Sequence, residues 1–354
     1  MASLRLSRCA RPEVGTWSTY TVLGFVGYLA ASILVGLLAA REALPLSERL
    51  VVLLVPPIAL VVVVRVTSWY RRRERIVFYH VTASAVLGAM LVGGVLGLRT
   101  LVIADLVVIG VALFLAFGRL GCFHVACCYG RIATWGVRYR DAHARQGLPR
   151  RLVGRTLLPV QLVEACASAL LAIAGVLVMD RGAGTATVVF VIGYAHVRFL
   201  LELARGDGGR PYYGGLSEAQ WVAATSAVIA AAWARTGAGL VAAGVLASAA
   251  GVIALRQRRP GARLRTPQHL EELAQVHSTL STLREGATVT TSAGLQVSVH
   301  RLPDQRLDLL WSHPALVLDD ARSLAHQLYE RVEIVPARSA GMVHVLIAPR
   351  DLAA

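Results

Sequence analysis

Lysine is missing from this chain, so all 36 basic residues are arginine, set against 21 acidic ones for a formal net charge of +15. The chain is rich in alanine, valine, glycine and arginine. That is a bias which makes the number of arginines a poor guide and their placement the useful one. Cysteine is scarce: five residues form no secreted disulfide framework. The opening MASLRLSRCARPEVG carries Arg5, Arg8 and Arg11 but no cleavage motif, and the apolar segment after it is long enough to span, so a retained first helix is expected. Cys9 precedes that segment and follows an arginine where a lipid-modification site has a small residue, which argues against lipidation.

What is present is apolar. Hydrophobic residues make up 56% of the 354 and the mean hydropathy is +0.59, more than a soluble core absorbs. The expected class is an all-α polytopic membrane protein of seven to eight transmembrane helices with a small C-terminal α+β soluble domain. In a soluble protein the charge of +15 would suggest nucleic acid. In a membrane protein the expected partner is anionic lipid, with no nucleic acid.

Apolar runs predict spans over about 17–40, 50–70, 76–98, 101–117, 158–179 and 185–203. Pro56 and Pro57 should kink the second. Ser217 and Gln220 in GLSEAQ form a capping box that opens a seventh helix, and 240–255 reads as an eighth. The expected organisation is a tail over 1–16, a membrane domain over 17–255 with a polar excursion at 118–157, a basic linker over 256–267 and a soluble domain over 268–354. In that last part, helices are expected near 267–284 and 314–332, and strands within 287–302 and 334–348.

The chemistry concentrates in Gly118 to Gly130, GRLGCFHVACCYG. An arginine at the end of an apolar run is costly at a bilayer edge unless an anion meets it, and its fork suits a phosphate. Gly121 and Gly130 allow tight turns and close approach. Asp105 lies fourteen residues before Arg119, about 20 Å along a helix, too far for a salt bridge, and is read as structural. Gln161 and Glu164 share one helix face, and Tyr194, Arg198 and Glu202 form a stripe at i, i+4 and i+8 that should face the bundle interior, with His196 pointing away. Cys122, His124, Cys127 and Cys128 invite a zinc reading. Their spacing is not that of a ribbon, adjacent cysteines rarely both ligate one tetrahedral ion, and no second CxxC pair exists, so substitution by small residues is the expected reading, with a disulfide within the stretch as the alternative if it faces an oxidising compartment, and with no metal and no cofactor.

The signature stretch resembles that of prolipoprotein diacylglyceryl transferases, membrane enzymes that move a diacylglyceryl group from phosphatidylglycerol to a lipoprotein precursor's cysteine. Arg119, Gly121, Phe123 and Gly130 match the family pattern, whereas Cys122 stands for an asparagine and Cys127 for an acidic residue. LLPVQLVEA, IGYAHVRFLLE and GLSEAQ resemble further family motifs. The resemblance implies phosphatidylglycerol, a prolipoprotein signal peptide and membrane lipid as partners, and a multi-pass protein of the inner membrane. It implies a reaction in which cations receive phosphate and a base takes a thiol proton. Arg119, Arg198 and Tyr194 are the implied catalytic groups, with His80 as the base. Tyr20, Arg65, Gly121, Cys122, Gly130, Gln161, Glu164 and Glu202 are expected to bind substrate.

Two other readings stand beside it: an inactive relative that binds phospholipid and acts through its tail, and a cysteine-loop metal or redox protein. Topology is open too. The arginines gather on one side of an eight-span arrangement, which the positive-inside rule assigns to the cytoplasm, whereas the family has its signature stretch outside.

Overall fold

The computed structural model describes residues 9–71, 78–257, 261–280, 286–329 and 331–348. Arg5, Arg8, the basic residues over 72–75 and the expected start of the third span at Ile76 lie outside the described residues.

Among the described residues eight apolar helices run in sequence: α1 Thr19–Arg41, α2 Leu46–Arg71, α3 Phe78–Val95, α4 Thr100–Val125, α5 Val160–Val178, α6 Thr185–Ala204, α7 Glu218–Ala234 and α8 Gly237–Gln257. Six are long and apolar enough to cross a membrane; α3 and α7 are shorter. The protein is therefore a multi-pass membrane protein. Helix α2 carries Pro56 and Pro57 in its interior and continues through both.

Helix α4 is the axis. In its apolar window 61% of residues are buried, against 11 to 33% in the other five long helices, and it packs on α1, α3, α5 and α6. Asp105 lies within it and pairs with no arginine, as its distance from Arg119 required. Instead it accepts from the amides of Gly184 and Thr187 and from the Thr187 hydroxyl, all at 2.7 Å, and so closes the N-terminus of α6. The orphan amides of that helix start lie inside the bundle, where water cannot satisfy them, and a carboxylate also answers the positive end of the helix dipole.

Helix ends sort into two sets. On one side Arg41 meets Asp180 at 2.6 Å and Arg99 grips Glu48 in a bidentate pair at 2.8 and 3.0 Å. The other side holds the signature stretch and the described residues after α8. Ser217 and Gln220 form the expected capping box at the start of α7, each side chain bonding the other's amide, at 3.0 and 3.3 Å.

After α8 comes a small antiparallel sheet, with strands β1 Thr288–Thr290, β2 Gln296–Arg301, β3 Leu307–Ser312, β4 Glu333–Pro336 and β5 Met342–Ile347 in the order β4-β5-β3-β2-β1. Two helices, α9 Pro267–Leu280 and α10 Leu318–Leu328, share its core. Strand β3 was missing from the expected elements although it is the centre of the sheet. Leu307, Asp308 and Leu309 are buried in succession, and burial on both faces removes the alternation by which strands are recognised.

His277 of α9 stacks between Trp311 and Tyr329, with ring centroids 5.6 and 5.3 Å away, and its Nδ1 bonds the Tyr329 hydroxyl. Burial, and then His269, push it down to about 3. A histidine whose folded value lies below its unfolded one contributes nothing adverse above about pH 6.5. Below that the unfolded chain takes the proton and the folded one does not, so stability falls until the pH reaches the folded value. By pH 5 the loss amounts to about 2 kcal/mol. Hydrogen exchange of β2 and β3 should accelerate between pH 6.5 and 5, and His277→Gln, which keeps an acceptor for Tyr329, should flatten that dependence.

Candidate functional site

The signature stretch was expected as a loop beginning at Gly118, but α4 continues through it to Val125. No proline interrupts the run, and small or apolar residues fill the seam, so the helix persists until Ala126, whose left-handed φ of 59° ends it. Arg119, Gly121 and Cys122 therefore ride on a rigid helix end. Gly121 lies against Tyr20, where a Cβ would sit 3.0 Å from the Tyr20 Cα. Past the helix, Gly130 abuts Leu158 so closely that a Cβ would stand 2.8 Å from the Leu158 Cβ and collide with its carbonyl oxygen. The turn is held from two other helices: Gln161 of α5 donates to the Cys127 carbonyl at 2.9 Å, and Gly206 after α6 donates to the Tyr129 carbonyl at 3.0 Å.

A chain of buried charge crosses this end of the bundle. Glu164 of α5 takes the Tyr194 hydroxyl at 2.7 Å on one oxygen and faces Arg119 Nε at 3.0 Å on the other. Along α6, Arg198 meets Glu202 at 2.8 Å, and Glu202 also receives Arg210 at 2.9 Å. Arg205 closes the set on Asp207 at 2.7 Å. The stripe of Tyr194, Arg198 and Glu202 does face the interior, and His196 turns the other way, its Nε2 3.1 Å from the Ala242 carbonyl of α8.

Four guanidinium groups, Arg119, Arg198, Arg205 and Arg210, thus face three carboxylates, Glu164, Glu202 and Asp207, a surplus of one positive charge. One donor is also idle. Arg198 Nη1 is buried without an acceptor, whereas Arg119 Nε and Arg210 Nε lie 3.0 and 2.9 Å from carboxylate oxygens. Unpaired buried N–H groups on a cation are costly, and an anion at this point would satisfy them.

Cys122, Cys127 and Cys128 place their sulfur atoms within 4.8 Å of one another, a convergence their spacing did not suggest. The Cys128 thiol is held well below the usual range by hydrogen bonds from Cys122 and Cys127 and then by Arg205 and Arg119. His124 is not part of this group; its Nδ1 accepts from the Arg11 amide at 3.1 Å. His80, near the start of α3, packs edge-on against Tyr79 at 4.7 Å, and Arg65 lies on an exposed face of α2. None of the described ion pairs or hydrogen bonds of the charged cluster reaches either residue.

Between α1, α2, α3 and α4 lies an apolar cavity of about 400 Å³, lined by Tyr28, Pro56, Leu60, Val81 and Phe114 among others. Its Thr21 and Gly24 walls adjoin Tyr20, so the cavity leads toward the charged end of α4.

The model of the family described as Prolipoprotein diacylglyceryl transferase matches residues 16–235. The chain belongs to the prolipoprotein diacylglyceryl transferase family. The match stops in the turn between α7 and α8, before α8 and the sheet domain. A curated relative, "Phosphatidylglycerol--prolipoprotein diacylglyceryl transferase 2" of Clostridium perfringens, is 28% identical over 176 residues. That alignment covers 44% of this chain and 64% of the relative. Sequence reasoning about the family motifs missed Arg205, Asp207 and Arg210. All three follow the Tyr194–Glu202 stripe in the run RGDGGR, and that density of charge just past a span was the available signal.

Proposed function

We propose that this protein transfers a diacylglyceryl group from phosphatidylglycerol to the cysteine thiol of a prolipoprotein, working from the inner membrane. The observation that carries this reading is the buried surplus of positive charge around Arg119 and Arg198, with guanidinium donors of which Arg198 Nη1 is idle, next to an apolar cavity. A phosphodiester has one negative charge and acceptor oxygens for those donors, and acyl chains need a lined apolar slot beside it.

In the reaction a carbon–sulfur bond forms at the glyceryl carbon and the carbon–oxygen bond to phosphate breaks. The bonding electrons go to glycerol phosphate, whose extra negative charge Arg119 and Arg198 receive. Glu164 fixes the Arg119 fork and is itself fixed by Tyr194, so its task is positioning. Tyr20, Gly121, Gly130 and Gln161 shape the wall of the site. A base role for His80 requires the bound peptide to bring its thiol toward the start of α3. Arg65, on its exposed face, is placed to meet a head group at the membrane surface.

Complementation of a strain depleted of its own transferase tests the reading. Growth, together with thioether-linked diacylglyceryl on a reporter lipoprotein, is expected. Failure of the well-expressed protein in both assays would favour a phospholipid-binding relative without transferase activity.

The family part of the chain ends before the sheet domain, and we take 268–354 as a separate folding unit. It touches the membrane part through Glu271, which accepts from the Gly208 amide at 3.0 Å, and through Arg155, which donates to the His326 and Gln327 carbonyls. Truncation after Arg256 should retain transfer within a few-fold, measured on labelled phosphatidylglycerol and a lipobox peptide. Loss of transfer in an expressed truncation would make the Glu271 contact part of the enzyme.

A further inference from the structure

The three converging thiols fall outside the phosphate chemistry, and two of them, Cys122 and Cys127, stand where the family pattern has asparagine and an acidic residue. Chance crowding does not account for the local backbone. Ala126 and Cys128 are both left-handed, at φ of 59° and 54°, in a stretch where neither is glycine. L-residues adopt that region at a cost, and here the two turns fold Cys127 and Cys128 back over Cys122. Gln161 then anchors the Cys127 carbonyl, and Gly130 seats against Leu158, so the turn is fixed from outside.

Cys122 is 7% exposed, and Cys127 and Cys128 are half-buried. Sulfur atoms in a tetrahedral zinc site stand about 3.8 Å apart, given zinc–sulfur bonds of about 2.3 Å, so atoms already within 4.8 Å need little movement.

We propose that Cys122, Cys127 and Cys128 form a three-thiolate site for a zinc ion whose fourth position receives the thiol of the acceptor peptide. This rests on the transfer reading above and gives its missing step. A thiol bound to zinc is deprotonated outright at neutral pH, so its proton leaves to solvent without a dedicated base. The resulting thiolate supplies the electron pair for the new carbon–sulfur bond. Glycerol phosphate departs with the pair from the broken carbon–oxygen bond onto Arg119 and Arg198. The thioether product is a poor ligand and frees the fourth position. Three protein ligands with one open position is the arrangement that distinguishes catalytic from structural zinc.

The test uses the full chain in detergent with Cys9→Ser and Cys166→Ser, which removes the two exposed thiols and leaves only the three. Titration with Co2+ should give one equivalent per chain with an intense thiolate-to-cobalt band that Zn2+ abolishes. A lipobox peptide should intensify the band, and the same peptide with serine for cysteine should not. Cys128→Ser should weaken Zn2+ binding by a hundredfold or more. Absence of a thiolate band overturns the site. So does a disulfide between two of the three in protein kept under reductant, or thiol reactivity that Zn2+ leaves unchanged. A band indifferent to the cysteine peptide overturns the open position, as does full transfer by zinc-stripped protein. If metal and peptide bind as expected but no thioether forms, the zinc site stands and the transfer reading fails.

Discussion

Arg119→Ala and Arg198→Ala should each lower diacylglyceryl transfer by at least about a hundredfold, equivalent to about 3 kcal/mol of transition-state stabilisation. Each cation is asked to receive charge that grows as the carbon–oxygen bond to phosphate breaks. The two variants differ in their structural consequences. Removing Arg119 leaves Glu164 buried without its cation 3.0 Å away, and an uncompensated buried charge costs about 3 to 5 kcal/mol. Arg119→Ala should therefore be assayed beside Arg119→Ala with Glu164→Gln, which removes the orphaned charge and restores folding without restoring transfer. Removing Arg198 is milder, because Glu202 keeps Arg210 at 2.9 Å. Lysine at either position should recover only part of the rate, since a point charge does not reproduce the planar fork. Transfer near wild-type level in a folded Arg198→Ala protein would remove that residue from the reaction.

Asp105→Ala should be the most damaging single change to folding far from the site. Three hydrogen bonds at 2.7 Å end on this carboxylate, and all three donors belong to the start of α6. A helix cap alone contributes about 1 kcal/mol, and a donor left unsatisfied away from water costs about 1 to 3 kcal/mol, so three donors at the low end of that range already imply a loss of at least about 3 kcal/mol. Thermal unfolding in detergent should show it. Asp105→Asn should fall in between, because its carbonyl oxygen still serves Thr187 while its amide nitrogen cannot accept from Gly184. An Asp105→Ala protein that melts at the wild-type temperature would mean that α6 is held by packing alone. A displaced α6 also displaces Tyr194, Arg198 and Glu202, so loss of transfer should accompany loss of stability.

The sequence by itself determined the features that depend on local period and length. Eight apolar runs gave eight helices because the bilayer and the backbone's need for internal hydrogen bonds leave few alternatives. The stripe of Tyr194, Arg198 and Glu202 follows from the helical repeat alone, and the Ser217 and Gln220 box from a four-residue pattern. The separation of Asp105 from Arg119 followed from helix rise, and it excluded their pairing before any fold was known. The family motifs were legible for the same reason, being contiguous.

Tertiary structure decided whatever joins residues distant in sequence. Arg119 finds Glu164 forty-five positions away because α4 and α5 pack side by side, and no local pattern encodes that partner. Arg210 returns to Glu202 only because the chain after α6 folds back over the helix end. The place of His80 and Arg65 outside the charged cluster, although both were named from the sequence, is likewise a matter of where α2 and α3 stand in the bundle. Strand β3 carries no alternation because both its faces are covered, a circumstance set by strands far from it in the chain. The gathering of three thiols was the least legible of all. It depends on left-handed conformations at Ala126 and Cys128, which L-residues reach only when surrounding contacts hold them there. Those contacts come from Gln161 of α5 and from the chain just after α6, elements that only the packed bundle brings to the end of α4.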